Sequence, residues 1–114
     1  MMLLATASAA AAQLSLSGNY GNPSGCAYLK TGDLDGDDLR YLTSESLSTY
    51  ASGCDFVLVH ADRSGNQLTQ GICHHEGDEL LTAETHIITP PDPSGGVRIY
   101  TGAGELWAEL EPCP

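Results

Sequence analysis

The sequence predicts an all-β fold, a small antiparallel meander closed into a barrel or folded as a sandwich and stapled by two disulfides. Three observations carry this expectation. Apolar residues fall in short runs without a sustained helical period, turn-forming residues recur roughly every 8–12 positions, and four cysteines, Cys26, Cys54, Cys73 and Cys113, are spread along the chain.

Taken in order, residues 1–12 run from Met-Met-Leu-Leu into small residues, the pattern of a signal-peptide apolar region and its A-x-A-like end. A single β-rich domain is then expected over 13–114, a length that suits one core and not two. No other run approaches the ~18 apolar residues of a membrane span, so no membrane insertion is expected. Leu14 to Tyr20 reads as an edge strand, and Leu39 to Thr43 and Ser46 to Tyr50 as short strands around Ser44-Glu45, with a helical turn over Ser44 to Tyr50 as the alternative. Cys54 to Ala61 is apolar and β-branched; Arg63 to Gln67 supplies a hairpin turn, and Leu68 to His75 returns antiparallel. Glu76-Gly77-Asp78 marks the next turn, and Glu79 to Thr89 is a strand in which Leu81, Ala83 and Ile87 alternate with Thr82, Glu84 and His86. Pro90 to Gly96 must be a loop, because proline lacks the N–H that a sheet ladder needs. Val97 to Thr101 and Glu105 to Glu111 flank Gly102-Ala103-Gly104 as a closing hairpin.

Seven aromatic residues make a modest core, so constraint on the unfolded chain matters. An even number of cysteines, no C-x-x-C and an export signal favour disulfides over a metal site. Neighbours in sequence are neighbours in a meander, which favours Cys26 with Cys54 and Cys73 with Cys113 among the three possible pairings. Each such bridge would contribute roughly 3–4 kcal/mol in the chain-entropy picture. Disulfides of this kind belong in an oxidising compartment, and the expected location is periplasmic or secreted.

Fifteen Asp and Glu against four Lys and Arg give a net charge of −11. Nucleic acid needs a cationic face, so it is not an expected partner, whereas a cationic protein or a divalent cation is. The acid excess also keeps an exported protein in solution.

Further along, Gly-Asn-Tyr (18–20), Gly-Cys-Ala-Tyr-Leu-Lys (25–30), the segment from Tyr41 through Tyr50 to Cys54-Asp55-Phe56, and Cys-His-His-Glu-Gly (73–77) together form a pattern. With a last cysteine close to the end of the chain, it resembles the small exported two-disulfide proteins common in proteobacteria. The resemblance spans most of the chain after residue 12. It implies export and disulfides, and brings no activity, ligand or catalytic residue.

Two constellations could hold a metal. Asp33, Asp35 and Asp37 alternate in Asp-Leu-Asp-Gly-Asp-Asp (33–38), a set of carboxylates suited to Ca²⁺. The segment departs from the EF-hand loop at its sixth position, Asp38 in place of Gly, and at its twelfth, Ser44 in place of Glu. An acidic solvated turn is the plainer reading. His60, His74 and His86 lie in neighbouring predicted strands and would serve Zn²⁺ or Cu²⁺ if they shared one face; adjacent His74 and His75 point oppositely on a strand. Tyr100 and Trp107 would face outward across the last hairpin, as partner anchors, if Leu106, Ala108 and Leu110 fill the core.

No Gly-x-Ser-x-Gly elbow, His-Glu-x-x-His or glycine-rich phosphate loop is present, and cysteines held in disulfides are no nucleophiles. The expectation is therefore a protein that is not an enzyme and carries no cofactor. It would be a binding or inhibitory module of the cell envelope, engaging a cationic partner such as a lysozyme-like hydrolase. The alternative is a divalent-metal-binding module.

Overall fold

The computed structural model describes residues 12–34 and 36–114. The expected signal peptide therefore lies outside the described residues except for Ala12, and so does Asp35. Eight strands form one closed antiparallel barrel: β1 (Tyr20–Gly21), β2 (Arg40–Leu42), β3 (Ser46–Thr49), β4 (Ser52–Ala61), β5 (Gln67–His75), β6 (Thr82–Ile88), β7 (Val97–Thr101) and β8 (Leu106–Pro112). Each pairs with the next, and β1 closes the ring against β8 through Tyr20 opposite Pro112 and Gly21 opposite Glu111. The meander is thus a barrel and not a sandwich; its β3–β4 and β6–β7 ladders are short, so residues 57–61 of β4 and 82–84 of β6 are paired on one side alone.

Of the segment expected as an edge strand, only Tyr20 stands in a strand, the first residue of β1. A helix, α1 (Pro23–Thr31), follows it where no element was foreseen. Its signals are local: Asn22 caps the N-terminus by accepting from Gly25 N–H at 2.8 Å, Pro23 sits in the first turn, and Gly32 closes the end at φ 77°. Too short to stand alone, the helix is fixed by tertiary contact. Gly25 lies so close to β2 that a Cβ there would sit 1.9 Å from the Arg40 carbonyl oxygen. Asn22 Oδ1 also accepts from Arg40 N–H at 3.0 Å, joining the cap to the strand.

The bridges are Cys26–Cys113 and Cys54–Cys73, which corrects the pairing expected from sequence neighbours. In a closed ring the two chain ends meet: β1 adjoins β8, so Cys26 just after β1 reaches Cys113 just after β8. Cys54 and Cys73 face each other directly across the β4–β5 ladder. Two disulfides place the protein in an oxidising compartment outside the cytoplasm. Among the described residues no helix is long and apolar enough to cross a membrane.

The barrel interior is filled by Tyr20, Leu42, Leu47, Phe56, Ile88, Val97, Ile99 and Leu110 with the buried Cys54–Cys73 bridge. One end is closed by residues 12–16. Leu14 is buried there, its N–H donates to the Ser44 carbonyl at 2.8 Å, and Ser15 exchanges hydrogen bonds with the Gln67 side chain at 2.8 and 3.2 Å. At the opposite end the inward positions turn polar. There β6 departs from the expected alternation: Glu84, His86 and Ile88 take the inner face, while Ala83 and Ile87 take the outer one.

Candidate functional site

The polar end of the barrel is built from the last inward residue of several strands. Arg40 follows Leu42 in parity on β2, Thr49 ends β3, Ser52 opens β4, His75 ends β5, and Glu84 and His86 come from β6. Thr49 and Ser52 hydroxyls are hydrogen-bonded at 2.8 Å. His75 Nε2 and Glu84 Oε2 lie 2.7 Å apart, and Thr82 donates its hydroxyl to the same oxygen at 2.7 Å. Partial burial pushes the Glu84 carboxyl up, but the hydrogen bonds from Thr82 and His75 and the nearby histidine charges outweigh it, so the group lies below its ordinary 4.5. His86 is buried, and desolvation holds it below its ordinary 6.5 against the opposing pull of Glu84.

Trp107 completes this end. A bulge between Ile99 and Tyr100 sets Ile99 opposite Ala108 and Tyr100 opposite Leu106, leaving Trp107 as the extra residue of β8. It packs against the core, edge-on to His86 with ring centroids 6.0 Å apart. The Arg40 guanidinium lies 4.9 Å from its ring centroid and donates to the Trp107 carbonyl oxygen. Leu106 is the residue turned to solvent. The bulge turns Trp107 inward, while Tyr100, opposite Ile87, stays on the outer face, so the two do not form an outward pair of anchors.

The same end opens onto a groove of ≈ 540 Å³ between α1, β2, β3 and the turn after β5. Tyr28 of α1 stacks on Tyr41 of β2 at 5.7 Å, and exposed Tyr50 adds a third ring from the β3–β4 turn. His74 and His75 line it from β5, and Glu76 and Asp78 follow them in the turn. Its described lining includes no Lys or Arg. The groove thus joins aromatic faces to carboxylates, an arrangement that favours an organic cation over an anion.

The three histidines considered as a set do not converge. His60 and His74 are exposed on the outer face of β4 and β5, and His86 is inside. The His74 ring lies against Gly53 on the neighbouring strand, where a Cβ would sit 3.0 Å from its Cε1. In the acidic turn, Asp38 accepts from the Ser24 hydroxyl at 2.8 Å, while Asp33 and Asp37 are exposed. Among the described residues, the one cluster of His, Cys, Asp or Glu side chains tight enough for a metal is Cys54, Cys73 and Glu84, and both its sulfurs are committed to a disulfide.

Sequence reasoning did not find the tyrosine groove, because Tyr28 acquires its place only from the helix. The Asn22-Pro23 start and Gly32 stop were the available signals. Comparison with protein-family models, with curated proteins and with solved structures returns no match.

Proposed function

We propose that the protein is an exported, non-catalytic binding or inhibitory module of the cell envelope, periplasmic or secreted, that holds a cationic segment of a partner protein in the tyrosine-lined groove. The observation that carries this reading is the groove itself: three tyrosine rings beside Glu76 and Asp78. The wider surface agrees with it. Among the described residues Arg98–Glu109, at 3.2 Å, is the single pair of a Lys or Arg with a carboxylate, so nearly all of the acidic excess faces solvent uncompensated. Such a field raises the encounter rate with a cationic protein and repels anionic ones. A closed barrel locked by two disulfides presents the groove with little ordering cost on binding. The resemblance to exported proteobacterial two-disulfide proteins belongs to the same proposal.

The test is a calorimetric titration of the chain with a Lys/Ser peptide and with a Glu/Ser peptide of equal length. The Lys/Ser peptide is expected to bind, and to weaken steeply as ionic strength rises from about 0.05 to about 0.5 M. Tyr50→Ala should weaken it about 2–5-fold, the size of a partly exposed cation–π contact. Glu76→Gln with Asp78→Asn should weaken it further. Binding that is indifferent to these groove substitutions would remove the groove from the account, and no binding at all would remove the cationic partner.

A further inference from the structure

The turn that carries Glu76 and Asp78 continues into two of the most exposed apolar residues of the chain. Leu80 is 79% and Leu81 67% exposed, and Glu79 precedes them. They lie at the edge of an apolar stretch of barrel wall. Ile72 stands opposite Ala83, and Leu68 opposite Ile87, on the outer face of the β5–β6 ladder. Leu58 shares that face from β4, opposite Gln70. Leu58, Leu68 and Ile72 are 38%, 37% and 46% exposed. β5 is paired on both sides along this stretch, so its part of the wall offers side-chain burial and not strand addition.

Charge decides what fits this wall. Acidic groups border its Leu80 end: Asp55 opposite Ile72, and Glu76, Asp78 and Glu79 in the turn that leads to Leu80. A second copy of this chain would bring the same carboxylates against them, at a net −11 per copy. A partner with an apolar patch rimmed by Lys or Arg meets both features at once.

We infer that Leu80, Leu81 and the outer wall of β5 and β6 form a second docking face, continuous with the groove through the acidic turn, for the apolar patch of an amphipathic cationic protein segment. This inference rests on the cationic-partner reading and adds the apolar half of the partner's chemistry. Side chains as exposed as these two leucines gain most from being covered, and their burial at the centre of a contact would supply affinity where the carboxylates supply orientation.

Two synthetic peptides of equal length and charge separate the possibilities: an amphipathic Leu/Lys helix and its Ser/Lys counterpart, each titrated into the full disulfide-bonded chain. The Leu/Lys peptide is expected to bind at least about tenfold more tightly. Leu80→Ser with Leu81→Ser should bring the two peptides to within about twofold of each other, leaving Ser/Lys affinity as it was. Both leucines are exposed, so this variant should keep its melting temperature; Ile72→Ser, on the wall itself, should give a smaller loss of the same kind. Equal affinity of the two peptides for the native chain, or a preference retained by the double variant, overturns the inference and leaves the groove reading intact. Failure of both peptides to bind overturns both readings. Sedimentation that shows a dimer abolished by Leu80→Ser with Leu81→Ser would make a second copy the occupant and overturn it as well.

Discussion

Opening the Cys26–Cys113 bridge by Cys26→Ala with Cys113→Ala tests the closure of the barrel. The bridge joins residues 87 apart in sequence, so nearly the whole domain is one ring in the unfolded chain. Loop-closure entropy for such a ring is worth about 4.6 kcal/mol at 25 °C, against about 3.3 kcal/mol for Cys54–Cys73 with a separation of 19. Cys54 and Cys73 are buried, so their replacement also leaves a void in the core, which narrows the difference in stability between the two variants. Urea unfolding supplies a second quantity that burial does not blur. The slope of stability against denaturant follows the surface exposed on unfolding, and releasing the large ring lets the unfolded chain expand far more than releasing the small one. The expected result is a loss of about 4–5 kcal/mol with a clearly steeper slope for Cys26→Ala with Cys113→Ala, and a smaller change of slope for Cys54→Ala with Cys73→Ala. Loss under about 2 kcal/mol for the long-range variant, or equal slopes in the two, would refute the reasoning, as would a non-reducing peptide map showing Cys26 joined to Cys54.

Three further outcomes follow from the packing and the charges. Gly25→Ala should destabilise the domain by more than about 1 kcal/mol although alanine favours a helix by about that amount over glycine, because the added Cβ meets the Arg40 carbonyl; equal or higher stability in urea would contradict the packing of α1 on β2. Ile99→Ala, at a fully buried core position, should cost about 2–5 kcal/mol in the same assay, and a value under about 1 kcal/mol would place it outside the core. His86 holds fewer protons in the folded protein than in the unfolded chain, so its contribution is complete above pH about 6.5 and is lost as pH falls through the lowered folded value. Glu84, lowered in the same sense, withdraws its own contribution as pH falls below about 4.5. Thermal melts from pH 8 to 4 should therefore show stability falling in acid, with less of the first step in His86→Phe, and an NMR titration midpoint of His86 at or above 6.5 would reverse the assignment.

The amino-acid sequence alone determined the β class and most strand positions, because β-branched runs and Gly, Pro and Asp turns act locally on the backbone. The Cys54 to Ala61 and Leu68 to His75 strands, the proline loop at 90–96 and the final hairpin all stand where their own residues put them. Side-chain direction was less legible. The alternation along β6 did not say which side faces in, and Glu84 and His86 take the inner face because the barrel ends there in a polar mouth. On β8 a single bulge turned Trp107 inward, an event set by the partner strand and not by the residues of β8.

Tertiary structure alone decided three things. It chose the disulfide partners, since only ring closure makes Cys26 and Cys113 neighbours while leaving Cys54 facing Cys73. It held α1 against β2, where Tyr28 could stack on Tyr41. It also gathered the groove, from residues as far apart as Tyr28 and Asp78. Composition fixed the sign of the surface charge, because carboxylates this numerous must face water wherever the chain folds; the place where that charge meets aromatic rings depends on which strands the barrel sets side by side.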